Sequence, residues 1–485
     1  MNTPESTVTD PSPTSAAAGG RRPNVLFVLG DDWGWGDLGC FGHQRARTPH
    51  LDRLAAEGTR YTQFYVASPL CSPSRASFLT GLFPGRVGFH HVCSPAFNRE
   101  RGVPDWLDTE LPMLPRHLQA TGYRTCHLGK WHLGHTADAP TPGAYGFDQH
   151  HSTLSSDPSL VGRYFARRGL PVPEDADEAF ATFRPYSSET IADEAVDWLE
   201  HHRDTAPDEP FFLQLWLLDM HSTLDPAPEH LERYAHLEPE HTSDHGSLVN
   251  YYATLTEADR QVGRVLEALD RLGLTEDTIV VFTGDNGPEE QFVVNNSHSA
   301  AGSAGPFRGR KRSLYEGGVR MPLIVRWPGR TPAFAVDDDS VLSSVDLFAT
   351  LGAVAGFDVP GTDGEDVGDA WQGTTHRRDR PLLWEHRFPN GSHQVHRSPM
   401  TAVRDGDWKL LRNPDGSRVE LYDVPRDPWE LTDHADREPE VVARLTDSVT
   451  AYSASLPDGP RHPDAGRRDY PWPTSGTVEV PTWDL

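Results

Sequence analysis

The sequence predicts an α/β fold: a mostly parallel central sheet with helices on both faces, plus a small C-terminal α+β subdomain with an antiparallel sheet. Three observations predict it. Short apolar runs alternate with amphipathic helical stretches between residue 23 and about residue 350, the pattern of a sheet covered by helices. Four of the apolar runs stop in a polar cluster, as strands do when their carboxyl ends carry a site. Beyond residue 357 the texture changes to loops and then to a hairpin pattern.

Taken in order, "PNVLFVLGDD" is a buried strand that runs into two acids. "TPHLDRLAAEGTRY" is a helix with a Thr-Pro start and a Gly stop. "LPMLPRHLQATGYRTCHLGKWHLG" repeats the logic as helix, Gly stop, strand and loop. "SSETIADEAVDWLEHHRD" is an amphipathic helix, and "PFFLQLWLLDMH" is a strand ending at Asp219-Met220-His221. "SLVNYYATLTEADRQVGRVLEALDRLGL" is a long helix, "DTIVVFTGDNG" a strand ending in Asp285-Asn286, and "PLIVRWPG" one more strand. "PLLWEH" is a strand, and "TAVRDGDWKLLRNPDGSRVELYDV" supplies hairpin strands around a Pro-Asp-Gly turn. "EPEVVARLTDSVTAYSASL" is a terminal helix. The expected organisation is a disordered leader over 1–22, a catalytic α/β domain over 23–378 and a subdomain over 379–485.

Composition narrows the function classes. A net charge of −27 argues against nucleic acid or an anionic membrane as the main partner, since both need a basic face. The leader is polar and rich in Pro, Ser and Thr, without the apolar stretch of a signal peptide, so a cytoplasmic location is expected. Oligomeric state is not legible. Four cysteines (Cys40, Cys71, Cys93 and Cys126) form no CxxC pair and no disulfide framework.

The chemistry-bearing residues fall into three sets. Asp31, Asp32, Asp285 and Asn286 offer hard oxygen ligands just past two strands, which selects Ca²⁺, or Mg²⁺, over zinc. Lys130 and His132 share one face of an extended chain, His221 ends another strand, and Lys311 lies in the basic run "FRGRKRSLYEGG". A divalent metal with several cations and a histidine or two suits a tetrahedral oxyanion in transfer. Then there is "SPLCSPSRASFLTG". Cys71 is open to four fates: inert thiol, metal ligand, disulfide half or nucleophile. Pro73 suits the first turn of a helix, and Arg75 stands one turn from Cys71, which is a setting for an activated group.

With those residues in place, the chain resembles the sulfatase family, the formylglycine-dependent members of the alkaline-phosphatase-like superfamily. "CSPSRASFLTG" matches the family signature. "DDWGWGDLGCFG" and "TPHLDRLAAEG" before it, and "GKWHLG", "TGDNGP", "YEGGVRMP", "AVRDGDWKL" and "ELYDVPRDPWEL" after it, stand in family order. The resemblance implies a sulfate ester hydrolase in which a formylglycine-generating enzyme, acting on residues 71–75, oxidises Cys71 to an aldehyde whose hydrate attacks sulfur. It implies Ca²⁺ held by Asp31, Asp32, Asp285, Asn286 and the modified residue 71. It gives Arg75 the task of fixing the hydrate, Lys130 and Lys311 that of binding sulfate, His132 that of base and His221 that of leaving-group acid. The chain departs from the family twice: Met220 precedes His221 where a Pro is usual, and Arg310 replaces a Gly before Lys311, which would add a charge to the pocket. Two other readings share these residues, a phosphonate monoester or phosphodiester hydrolase and a catalytically silent cation-binding scaffold. The outer pocket is the least legible part, with His90, His298, His386 and Arg387 as possible substrate contacts.

Overall fold

The computed structural model describes residues 21–238, 245–291, 298–359, 361–391 and 393–470. The leader expected over 1–22 falls outside them except for Arg21 and Arg22. Among the described residues the first sheet has nine strands: β1 (Asn24–Gly30), β2 (Thr59–Tyr65), β3 (Arg124–Lys130), β4 (Gln149–Thr153), β5 (Phe211–Trp216), β6 (Thr278–Gly284), β7 (Arg320–Arg326), β8 (Ala335–Asp337) and β9 (Leu342–Ser343). Their spatial order is β4-β3-β5-β1-β6-β7-β2-β8, with β9 also on β2.

β1 is buried over its whole length because parallel neighbours, β5 and β6, flank it and side chains cover both faces. Val25, Phe27 and Leu29 enter one core; Leu26 and Val28 enter the other. That two-sided burial is why its sequence is an unbroken apolar run. Helices α1 (Pro49–Glu57), α2 (Cys71–Thr80), α3 (Leu114–Ala120), α4 (Ser187–Thr205), α5 (Gly246–Arg271) and α6 (Asp346–Ala355) divide between the faces. α1, α4 and α5 pack on the side of Leu26 and Val28, and α2, α3 and α6 on the other.

The sheet is parallel except at β7, which is antiparallel to both β6 and β2. This reversal matters for the site. The carboxyl ends of β1, β2, β3, β5 and β6 share one edge, and the amino end of β7 meets them there. β2, β4, β8 and β9 are not expected from the sequence: Thr59–Tyr65 follows the Gly stop of α1 directly and reads there as the tail of a helix.

The second sheet is antiparallel, in the order β10 (Leu382–Glu385), β11 (Thr401–Asp405), β12 (Trp408–Arg412), β13 (Val419–Asp423), and α7 (Pro439–Ser455) packs with it. Its apolar residues join the same core as α2 and α6, so the two sheets share one interior. Among the described residues no helix is long and apolar enough to cross a membrane.

Candidate active site

Two acid pairs emerge side by side because β1 and β6 are adjacent and in register, Gly30 opposite Gly284. The Asp285 amide donates to the Gly30 carbonyl at 3.0 Å, and the Asp32 amide to Asp285 Oδ1 at 3.1 Å. Asp32 sits in the left-handed region, φ 59°, which turns its carboxylate back toward Asp285 and Asn286. Asn286 donates to Asp32 Oδ1 at 2.7 Å and to the Gly287 carbonyl at 2.9 Å. Its own Oδ1 is buried with no hydrogen-bond partner, and Asp31 Oδ1, also buried, has the 3.3 Å ionic contact of Arg75 but no hydrogen bond. Carboxylate oxygens of Asp31, Asp32 and Asp285 lie within 4.8 Å of one another. Buried oxygens left without a hydrogen bond among carboxylates this close are what a hard cation would satisfy, so these residues fit a Ca²⁺ or Mg²⁺ site.

α2 delivers the next two groups. All ten of its residues are buried, and Cys71 opens it. One turn on, the fully buried Arg75 guanidinium donates twice to Asp285 Oδ2, at 2.7 and 3.0 Å, and once to the Lys130 carbonyl at 2.9 Å. It also lies 3.3 Å from Asp31 and 5.0 Å from the centre of the Trp216 ring. Arg75 therefore ties three strand ends together. β3 ends on Lys130, whose Nζ donates to Asp31 Oδ2 at 2.7 Å across the end of β5.

His132 lies beside the thiol, with Nδ1 3.3 Å from Cys71 Sγ. It does not do so by sharing an extended face with Lys130, as strand alternation predicts. β3 has ended, and His132 takes φ 57°, so the chain turns between them. Lys311 reaches the site from the amino side of the reversed β7, with Nζ 2.7 Å from Asp32 and 3.4 Å from Glu289. His221 lies five residues beyond β5, on a loop rather than at the strand end. Arg184 holds that loop by donating to the carbonyls of Leu218 and His221, each at 2.5 Å.

The electrostatics follow from burial and crowding. Burial would raise the Asp31 carboxyl, but Lys130, His221, Arg75 and Lys311 together hold it well below the usual carboxylate range. Asp285 is pushed up to about 7 by burial and by Asp31, against the pull of Arg75. Burial, then Lys130, keeps His132 well below the usual imidazole range, and burial with Lys130 and Lys311 does the same to His221. Burial raises the Cys71 thiol despite Lys130 and Lys311, so the unmodified cysteine is a protonated, poorly nucleophilic thiol at neutral pH.

Other expectations meet the structure less directly. The Arg310 guanidinium is anchored on backbone, donating to the carbonyls of Glu289, Ala300 and Gly302. His298 pairs with Ser247, at 3.1 Å, and Arg387 with Glu385, at 2.7 Å. His90 is buried beside Arg387, and the ring centres of His386 and His91 are 6.5 Å apart. Two residues escape sequence reasoning. Glu289, four positions after Asp285, pairs with Lys311 and Arg312, and only its nearness to "TGDNG" could have singled it out. Arg184 precedes His221 by 37 positions and carries no local signal.

The sulfatase family model matches residues 23–357, and a second, described as N-sulphoglucosamine sulphohydrolase, C-terminal, matches 305–454. The chain is similar to N-acetylgalactosamine-6-sulfatase of Canis lupus familiaris, 35% identical over 395 residues covering 76% of this chain and 69% of that protein. It is similar to steryl-sulfatase of Mus musculus, 32% identical over 564 residues covering 93% and 86%. Among solved structures, Ps i-CgsB in complex with k-i-k-neocarrahexaose shares the fold with a TM-score of 0.73 at 24% identity, over 90% of this chain and 94% of that one. The family match runs through every strand of the first sheet, and on that footing the chain belongs to the sulfatase family, enzymes that hydrolyse sulfate esters.

Proposed function

We propose that this sulfatase works through a formylglycine made from Cys71 by a formylglycine-generating enzyme that recognises residues 71–75, with a bound Ca²⁺ or Mg²⁺, on a carbohydrate or aryl sulfate. The observation that carries it is the setting of Cys71. Its sulfur opens a buried helix, 3.3 Å from His132 Nδ1 and one turn from Arg75, yet burial leaves it a poor nucleophile as a thiol. Sγ marks the place that the oxygens of the hydrated aldehyde would take. Two hydroxyls on one carbon let one displace the alcohol at sulfur, while loss of the other's proton expels sulfate and restores the aldehyde.

Asp31, Asp32, Asp285 and Asn286, with the modified residue 71, would hold the metal, which as a Lewis acid draws charge from the sulfate oxygens when bound. Arg75, fixed by Asp285 and the Lys130 carbonyl, orients residue 71. Lys130 Nζ and Lys311 Nζ bind the transferring oxyanion, and Glu289 holds Lys311 in place. Neutral His132 accepts at Nδ1 the proton that leaves residue 71. His221 Nδ1 is engaged with the Ser222 carbonyl at 2.8 Å, so the proton given to the leaving oxygen sits on Nε2. An anionic substrate offsets Lys130 and Lys311 and so raises His221 toward the protonated form that this step needs.

Two measurements test the proposal together. Mass spectrometry of the peptide over 68–81 should show the loss expected for thiol-to-aldehyde conversion. An aryl sulfate should be turned over faster than aryl phosphonate and phosphodiester substrates, with Cys71→Ala and Cys71→Ser nearly inactive, and chelation or Asp285→Ala lowering the rate. An unmodified, inactive chain supports the silent scaffold. Faster turnover of the phosphorus esters replaces sulfate as the substrate. Substantial activity of Cys71→Ala rules out the hydrate mechanism.

A further inference from the structure

A cation-rich cluster sits on segments that flank the Cys71 turn and is not needed for sulfate transfer. Val92 packs with Leu70 and Cys71 in a small apolar cluster, so the backbone that carries His91 runs past residue 71. On the other side Arg312 follows Lys311, and its amide donates to the Pro69 carbonyl at 2.9 Å. Between these, Arg101 Nη1 stands 3.3 Å from His91 Nδ1. The His91 ring faces that of His386 at 6.5 Å and meets the edge of Phe388 at 4.9 Å.

The charges in this cluster are unbalanced. Among the described residues Arg101 forms no ion pair. Arg312 is matched by Glu289, since Lys311, the other neighbour of that carboxylate, lies closer to Asp32. Burial, together with repulsion from Arg312 set against the pull of Glu100, brings Arg101 down to about 10. His386 Nε2 is buried with no hydrogen-bond partner. Burial beside Arg312 lowers His386 to about 3, and burial beside Arg101, His386 and Arg312 holds His91 well below the usual range. The two rings are therefore neutral, and the positive charge rests on two guanidiniums held near each other. A guanidinium without an ion pair, Arg101, beside a second guanidinium and a buried imidazole nitrogen without a partner is the complement of an oxyanion. Arg101 is only partly buried, which places the outer end of the cluster toward solvent.

We propose that Arg101, Arg312, His91 and His386 form a second oxyanion subsite, which takes a carboxylate or second sulfate carried on the alcohol part of the same substrate. This deepens the function proposed above and rests on it: the substrate class becomes sulfate esters of acidic or multiply sulfated sugars.

The test compares kcat/KM for 4-nitrophenyl sulfate, a sulfated uronic-acid disaccharide and a disulfated amino sugar, in the wild type, Arg101→Gln and Arg101→Lys. The subsite predicts that the wild type prefers at least one doubly anionic substrate. It predicts that Arg101→Gln lowers the ratio of doubly to singly anionic kcat/KM by about tenfold or more, and that Arg101→Lys restores part of it. Preference for the uronate assigns a carboxylate ligand; preference for the disulfate assigns a sulfate. Equal loss on all substrates, or no preference in the wild type, overturns the proposal, because a purely structural Arg101 moves every substrate together. Calorimetric titration with the sulfate-free uronic-acid disaccharide gives a readout independent of turnover. Binding that Arg101→Gln weakens about tenfold supports a carboxylate-binding subsite, and binding that the variant leaves alone counts against the proposal. If no sulfate ester is turned over, the function proposed above fails while the titration still decides the subsite.

Discussion

Arg75 shows how much one side chain decides. It is fully buried and holds Asp285, Asp31 and the Lys130 carbonyl in one plane of donors that a lysine cannot reproduce. In Arg75→Lys at least two charge-assisted bonds are lost in a place that water cannot easily reach, each costing about 1.5–3 kcal/mol. The expected outcome is a fall in unfolding free energy of at least about 2 kcal/mol in urea titrations, with turnover of an aryl sulfate reduced by about a hundredfold or more. A variant with near wild-type stability and rate would show that Arg75 does not organise the strand ends. Asn286 illustrates a different residue-scale lesson. Its amide is oriented by two donated bonds, and its leftover oxygen is what makes the acid cluster read as a cation site rather than as four loop residues.

At the scale of elements, the site depends on where strands end. β3 must stop at Lys130 and pass close to β5, and Gly129 permits both. Its φ is 114°, and a Cβ there would lie 1.9 Å from the Trp216 carbonyl oxygen. Gly129→Ala therefore combines a disfavoured backbone with a clash against backbone that cannot move aside. The expected cost is more than about 3 kcal/mol. Activity should fall further than the fraction of unfolded chain explains, because Lys130 and His132 are displaced with the strand end. Melting curves and assays on the folded fraction measure the two effects separately, and a stable variant with full activity would contradict this account. The reversed β7 is the second element-scale device. Had it run parallel like its neighbours, Lys311 would enter at the opposite edge of the sheet.

For the whole molecule, the two sheets are joined by a buried charge network. Lys409 on β12 lies 2.8 Å from Glu316, which leads into β7, and 3.0 Å from Glu430. Tyr65, at the end of β2, donates to Glu316 at 2.6 Å, and Trp384 on β10 donates to the Val66 carbonyl at 2.8 Å. Lys409→Met leaves buried acids without their ammonium, at an expected cost of about 3–5 kcal/mol, measurable by chemical denaturation at neutral pH. Acid should erase much of that difference. Burial pushes Glu316 up, but Lys409 and Arg320 more than offset it and hold it at about 2, against 4.5 unfolded. Between those values the folded chain binds fewer protons than the unfolded one. The contribution of Glu316 is therefore complete above pH 4.5 and is lost as pH falls toward 2, whereas Glu430, pushed up to about 7 by burial against the pull of Lys409, acts in the opposite sense, stabilising most below 4.5 and losing that as pH rises through 7. If the gap between wild type and Lys409→Met persists undiminished at the acid end, the network is not what joins the sheets.

Much of this was legible without coordinates, for identifiable reasons. A strand buried on both faces must be apolar throughout, so β1, β5 and β6 announce themselves. A hard-cation site needs acids past strand ends, and both pairs do follow β1 and β6. The segment around Cys71 could be read from Pro73 and Arg75 at helical spacing. What could not be read depends on pairings between residues distant in sequence. The direction of β7, the turn at His132, the grip of Arg184 on the His221 loop and the sharing of Glu289 between Lys311 and Arg312 have no local signature, because each is set by packing across the fold. The sequence by itself determined which residue types stand ready for oxyanion chemistry and on which strands they ride. Only the tertiary structure decided which of them meet, since a strand's direction and a buried charge's partner are fixed by neighbours that the chain reaches only once it has folded.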